Sequence, residues 1–513
     1  MQIVTAEEAA RHVADGDTVV IGGSGGGHAV PEALIAALEA RFLATASPTA
    51  LTAVHPVGLG DKATLGAHRL RHRGLLRRVV CGTVVDAPGI AQAAAEEEIE
   101  LFCVPQGSLS QLMRESAGGR PGLLTEVGLG TYVDPREGGG SQGRPSDDPP
   151  SRAVELEGRP YVFYPAVHAQ VALLRGTTVD AAGNVSMEGE AYFGEMLSMA
   201  QLVHNRGGTV VVQVARQAGA GELPPKQVKI PHFLVDLVVL VPDQPTTYLT
   251  ADSPAYAGQA RVEVTSLPPL VAGPRALIAR RAAQELRAGA VCNLGSGIST
   301  GVALAAAEDG MLDQVVLTNE QGLVGGLPMS GLDAGAAVNF DAMVDQPYQF
   351  DLYDGGGLDL AFLSFAEVSG RGDVNISRFG GRIVGVGGFV NISQGAHAVV
   401  FSGTLTAGGL ETGWDHEAGA LRIVREGRSQ RFVDTVEQVC FNGVLAHARG
   451  QRVVFVTERA VFEVDDEGRL VLVEVAPGID VERDVAAHVG FDLRRAPTLR
   501  VMDRSLFDRS YPA

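Results

Sequence analysis

A short β-branched run, a glycine-rich turn and a helix occur in that order twice, once in each half of the chain. Asp17-Thr18-Val19-Val20-Ile21 leads through Gly22-Gly23-Ser24-Gly25-Gly26-Gly27 into a segment opening at Pro31-Glu32. Ala290-Val291-Cys292-Asn293-Leu294 leads through Gly295-Ser296-Gly297 into Gly301-Val302-Ala303. In the first copy Pro31 suits the first turn of a helix, and Leu34, Ile35, Leu38 and Phe42 share one face at a 3.6-residue period. Parallel strands need such crossovers, because a tight turn can join only antiparallel neighbours. The pattern therefore predicts two sheets of parallel strands.

A second echo supports the division. Residues 178–186 and 367–377 each read as a strand, a tight turn and a short returning strand. Apolar runs follow at 315–317, 360–365, 382–386 and 398–401, with glycine-rich connections. Continuous apolar strands of this kind belong to sheets covered on both faces. The expectation is an α/β protein of two similar open domains with largely parallel sheets, residues 1–268 and 269–513, divided near Pro268-Pro269. A helix over 275–287 opens the second domain. Residues 138–152, rich in glycine, proline and serine, are expected to form a mobile surface loop.

Composition narrows the function classes. At 513 residues and 45% hydrophobic content the chain can bury large cores. Its formal net charge of -19 is dispersed, with no basic run to follow a phosphate backbone, so nucleic acid is not an expected partner. Cys81, Cys103, Cys292 and Cys440 lie far apart without ligand spacing, which argues against a zinc site or a disulfide framework. The N-terminal residues lack a basic segment followed by an apolar one, and no apolar run reaches membrane-spanning length. A cytoplasmic protein without a membrane partner is expected.

The chemistry-bearing stretch is 315–328, Val-Val-Leu-Thr-Asn-Glu-Gln-Gly-Leu-Val-Gly-Gly-Leu-Pro. A strand here delivers Glu320 to its C-terminal end, where Gly322 and later glycines allow a ligand close to the backbone. Glu320 is the candidate nucleophile. A second apolar segment ends in Gly385-Val386-Gly387-Gly388, whose backbone N–H groups at Gly387 or Gly388 could stabilise an oxyanion. Gln106, in Pro105-Gln106-Gly107, could bond a substrate carboxylate or carbonyl. The turn at 22–27 lacks the Lys-Ser/Thr of a phosphate loop and the third glycine of a dinucleotide fingerprint. His28, His55, His168 and His397 have no partner that spacing assigns.

Together these motifs resemble the family I CoA-transferases, in the single-chain acetate or propionate type with fused α-like and β-like halves. The resemblance runs over nearly the whole chain, through Pro105-Gln106-Gly107, Val127-Gly128-Leu129-Gly130-Thr131, Asn293-Leu294-Gly295-x-Gly297, Glu320-x-Gly322, Gly385-x-Gly387-Gly388-Phe389 and Thr406-Ala407-Gly408-Gly409-Leu410. It implies a CoA-transferase or NagB-like fold with the active site at the domain interface. The implied roles are nucleophile for Glu320, oxyanion loop for Gly387 and Gly388, and substrate contacts for Gln106, Gly107, Gly25, Gly26, Asn293, Gly295, Gly297 and Gly322. Two departures stand out: Ser24 replaces a common aromatic residue, and Gly295-Ser296-Gly297-Ile298-Ser299 replaces Gly-Ile-Gly-Ile-Pro. The implied reaction passes CoA from a short-chain acyl-CoA to acetate or another short-chain or 3-keto acid, through an acyl-glutamyl anhydride and a glutamyl-CoA thioester. It calls for no metal and no resident cofactor, CoA being a substrate, and the family implies a homo-oligomer. The rival readings are an acyl-CoA hydrolase on the same scaffold and a non-enzymatic acyl-CoA or sugar-phosphate sensor.

Overall fold

A computed structural model describes residues 1–263 and 269–512. They form two compact units. The first comprises Met1–Val262, Glu320–Asp351 and Arg382–Asn391, and the second Glu263–Asn319, Leu352–Gly381 and Ile392–Ala513. A single cut near Pro268 does not describe this division, and Pro268 itself lies outside the described residues. Two segments from the second half of the chain, including the one that begins at Glu320, fold with the first unit.

The first unit is built on an eight-stranded sheet. Its strands are β1 (Gln2–Ile3), β2 (Thr18–Ile21), β3 (Leu51–His55), β4 (Leu76–Cys81), β5 (Glu100–Cys103), β6 (Val171–Arg175), β7 (Thr209–Val214) and β8 (Leu237–Leu240). They lie in the order β1-β8-β7-β6-β2-β3-β4-β5, and every pairing is parallel. The central stretches of the strands are apolar because both faces are covered. Val20, Val54 and Val212 enter one core, while their neighbours Val19, Ile21, Ala53 and Val211 enter the other. Helix α1 (Glu32–Thr45) returns from β2 as the glycine-turn pattern predicts, beginning directly after Pro31. Chain order runs outward from β2 in both directions, so the turn after β2 stands at a topological switch point, where open parallel sheets bind ligands.

Part of the segment 138–152, expected as a surface loop, runs along strand β5. The Cys103 N–H donates to the Gly140 carbonyl at 2.8 Å, the Gln142 N–H to Leu101 at 2.8 Å and the Arg144 N–H to Ile99 at 2.9 Å. This segment covers the edge strand β5, whose backbone groups would otherwise be open to another chain.

The second unit carries β9 (Val291–Leu294), β10 (Val316–Thr318), β11 (Leu358–Ser364), β12 (Ala396–Ser402) and β13 (Arg452–Val456), all parallel, in the order β10-β9-β11-β12-β13. An antiparallel extension follows through Ala460–Val464 and Leu470–Val475. Both echoed hairpins form, Thr178–Asp180 with Val185–Ser186 and Glu367–Val368 with Val374–Asn375. The run at 382–386 does not join a parallel sheet. Only Arg382–Ile383 is a strand, paired with Arg378–Phe379 in a two-stranded ribbon. Among the described residues no helix is long and apolar enough to cross a membrane.

Candidate active site

Strand β10 ends at Thr318, and the chain then turns sharply enough to present Glu320. Gly322 makes that turn. Its φ is +98°, and a Cβ there would lie 2.1 Å from the Val344 carbonyl oxygen, so no other residue fits without displacing backbone. The Val344 N–H donates to the Gly322 carbonyl at 2.9 Å. Gly322 therefore shapes the turn through backbone packing.

Around Glu320 the first unit gathers three groups. Gln321 Nε2 lies 3.4 Å from Glu320 Oε1 and 3.4 Å from Ser24 Oγ, bridging the carboxyl to the turn after β2. Gln106 starts helix α2 (Gln106–Ala117), which follows β5 across Pro105. Its side chain is fully buried, and neither its Oε1 nor its Nε2 has a hydrogen-bond partner. That amide faces the Glu320 carboxyl and helps hold its pKa down. A buried amide left without a protein partner is poised to pair with a substrate oxygen.

The third group is the loop at 384–388. It docks on the loop after β4 through its backbone: Val386 and Gly387 N–H both donate to the Gly82 carbonyl, at 3.0 and 2.8 Å, and Val84 N–H donates to Val384 at 2.8 Å. The Gln106 N–H donates to the Gly387 carbonyl at 2.9 Å. These bonds correct the expectation for Gly387, whose N–H is spent on Gly82 and cannot serve an oxyanion. The Gly388 N–H is instead directed at the Glu320 carboxyl.

Glu320 keeps a partial opening to solvent while protein closely surrounds its carboxyl. Burial pushes its pKa up from 4.5 to about 7, opposed by Gln321, Gln106 and the Gly388 amide. A carboxyl of this kind is ionised over half or more of its population above neutrality and is weakly solvated. Both properties favour attack on a carbonyl carbon.

The remaining candidates sit elsewhere or act through the backbone. The Gly25 N–H donates to Gly58 at 2.7 Å, and a Cβ on Gly26 would lie 2.0 Å from the Leu332 carbonyl oxygen. The Gly107 N–H donates to Asn391 Oδ1 at 3.1 Å, and a Cβ there would meet Phe350 at 2.3 Å. These glycines permit close packing of loops. Asn293, Gly295 and Gly297 belong to the second unit. There Asn293 Nδ2 donates to the Tyr353 hydroxyl at 3.2 Å, leaving its buried Oδ1 unpartnered, and the Gly295 N–H donates to Phe362 at 2.8 Å. His28 is buried in the turn after β2, its Nδ1 3.1 Å from the Ser24 carbonyl, and burial lowers its pKa. Sequence reasoning passed over Gln321, although its place beside Glu320 was a signal. It also passed over Glu195, discussed below.

The coenzyme A transferase family model matches residues 3–240. Acetate CoA-transferase YdiF of Escherichia coli (strain K12) is 39% identical over 506 residues, which cover 98% of this chain and 95% of that one. The chain belongs to the coenzyme A transferase family. Caffeate CoA-transferase of Acetobacterium woodii is 38% identical over 518 residues, covering 99% and 98% of the two chains. The acyl-CoA transferase YdiF of E. coli O157:H7, solved as a thioester complex with CoA, superposes with a TM-score of 0.93 at 38% identity, covering 98% of this chain and 96% of that one. The two-domain α/β plan with largely parallel sheets is thus that of a solved CoA-transferase.

Proposed function

We propose that this CoA-transferase moves CoA from an acyl-CoA to a carboxylic acid by covalent exchange on Glu320. The observation that carries the reading is a closely surrounded carboxyl, on a residue that keeps a partial opening to solvent, with a pKa near 7, faced by the Gly388 N–H and by the amide of Gln106. A Glu320 oxygen attacks the thioester carbonyl carbon, the C–S bond breaks, and CoA leaves as thiolate. The thiolate then attacks the glutamyl carbon of the resulting anhydride, and the first acid departs as carboxylate. An acceptor carboxylate reverses both steps on the glutamyl-CoA thioester. Thioester energy is conserved, so the exchange calls for no resident cofactor. Water must be kept from both intermediates. Relatives named for acetate and for caffeate share similar identity with this chain, so acceptors of both classes belong in the first substrate panel.

Incubation with a short-chain acyl-CoA and no acceptor tests the proposal. A covalent adduct on Glu320 is expected, with an intact-mass gain equal to CoA minus water, discharged by acetate and missing in Glu320→Ala. Rapid multiple-turnover release of CoA without adduct would make the protein a thioesterase.

Gln321 tunes this carboxylate. Its amide stabilises the charged form, so Gln321→Ala raises the Glu320 pKa further and leaves less carboxylate at a given pH. Exchange by the variant should fall roughly five-fold at about pH 6 and converge on wild type at about pH 8. A uniform loss across that range would give Gln321 a role other than charge stabilisation.

A further inference from the structure

Another buried carboxyl of the first unit lies on no motif that the exchange reaction absorbs. Glu195 is 1% exposed and stands at the N-terminal boundary of helix α3 (Met196–His204), yet its side chain caps none of that helix's N–H groups. It turns instead to the Ser110 hydroxyl, which donates to its Oε1, while its Oε2 lies 3.1 Å from the Tyr192 hydroxyl. Tyr192 in turn lies 2.8 Å from Gln346 Oε1. A tyrosine hydroxyl has one proton, and Gln346 Oε1 can only accept. If Tyr192 donates to Gln346, its other bond exists only when Glu195 brings the proton.

We infer that Glu195 is held protonated as the middle link of a donor chain, Ser110 to Glu195 to Tyr192 to Gln346, and acts as a positioning residue for CoA exchange. The inference rests on the proposed role of Glu320. Ser110 lies one turn beyond Gln106 on α2, and both side chains are fully buried. The bond from Ser110 thus anchors the helix face that presents Gln106. At the far end of the chain Gln346 begins the segment carrying Phe350, against which Gly107 packs. The chain ties together the two elements that hold the Pro105-Gln106-Gly107 turn.

The surrounding charges favour the neutral acid. Asp345 raises the Glu195 pKa, and Lys229, the neighbouring cation, is already ion-paired with Asp345 and lies 3.9 Å over the Phe193 ring. Tyr192 lies within the fields of Glu195, Glu320 and Asp345. Burial, the largest cause, takes Glu195 to about 7, and an ionised Glu195 would reverse the donor order at Tyr192. Activity should therefore need Glu320 ionised and Glu195 protonated, and the two ionisations together give a bell-shaped profile.

Steady-state pH profiles of acyl exchange test this in wild type, Glu195→Gln, Glu195→Ala and Tyr192→Phe. Glutamine supplies a neutral donor to Tyr192 and an acceptor for Ser110. Glu195→Gln is expected to stay within about three-fold of wild-type kcat near neutrality and to lose the alkaline limb. Glu195→Ala and Tyr192→Phe are expected to lower kcat about ten-fold, with the KM for acyl-CoA within about two-fold. An alkaline limb unchanged in Glu195→Gln would overturn the inference, as would a glutamine variant as impaired as alanine. The first result is also what a reversed Gln346 amide beside an ionised Glu195 would give. Adduct formation on Glu320, measured in the same preparations, separates failure of this inference from failure of the exchange mechanism.

Discussion

Glu320→Ala is expected to reduce acyl exchange by about 10⁴-fold or more while the protein remains folded, because the reaction loses the atom that carries both covalent intermediates. A loss of that size corresponds to about 5.4 kcal/mol of transition-state stabilisation. Nothing else among the groups around Glu320 can replace it, since Gln321, Gln106 and the Gly388 amide supply only hydrogen bonds. Stability gives an independent check on folding. The pKa of Glu320 is raised from 4.5 to about 7, so the folded state binds this proton more tightly than the unfolded chain. Stability from that difference is present below about pH 4.5 and lost as pH rises through 7. Glu320→Gln, which cannot ionise, should match wild type in melting temperature at about pH 4.5 and exceed it at about pH 8. Exchange within ten-fold of wild type in a folded alanine variant would remove Glu320 from the mechanism.

The parts of this fold legible in the sequence are those that side-chain patterns encode locally. The run from Asp17 to Phe42 announces β2, its turn and α1 through β-branching, glycine and a 3.6-residue period, and the structure follows it closely. The hairpins at 178–186 and 367–375 were readable for the same reason. The run at 382–386 was misread because its apolar residues mimic a strand, whereas its backbone docks on Gly82, the Thr83 hydroxyl and Val84, partners about 300 residues away in the sequence that no local pattern signals. The domain division was illegible for a related reason. A cut in linear sequence cannot assign Glu320–Asp351 and Arg382–Asn391 to the unit formed by the first half. Glu320 could be singled out because a strand and glycines flank it. Glu195 could not, because Phe193-Gly194-Glu195 reads as an ordinary solvated turn, and only the tertiary structure places Ser110 and Tyr192 around its carboxyl.

Gly388→Val should lower kcat about 100-fold and leave the KM for acyl-CoA nearly unchanged. The Gly388 N–H is directed at the Glu320 carboxyl, where negative charge develops when CoA thiolate attacks the glutamyl carbon of the anhydride. A donor aligned with such an oxyanion contributes about 3 kcal/mol, most of it in the transition state, so moving it affects turnover rather than binding. Valine keeps the N–H, but its β-branched side chain restricts the backbone that aims it, and a reoriented loop carries the donor away. Gly387→Val should behave differently. Gly387 has φ +51°, a conformation costly for a branched residue, and its N–H holds the loop to Gly82. That variant should lose melting temperature first, with a kcat loss that follows loop displacement. The pair therefore separates a donor acting in the reaction from a glycine needed for backbone shape. A rise confined to KM in Gly388→Val, with kcat intact, would show that this amide binds substrate and that the oxyanion is stabilised elsewhere.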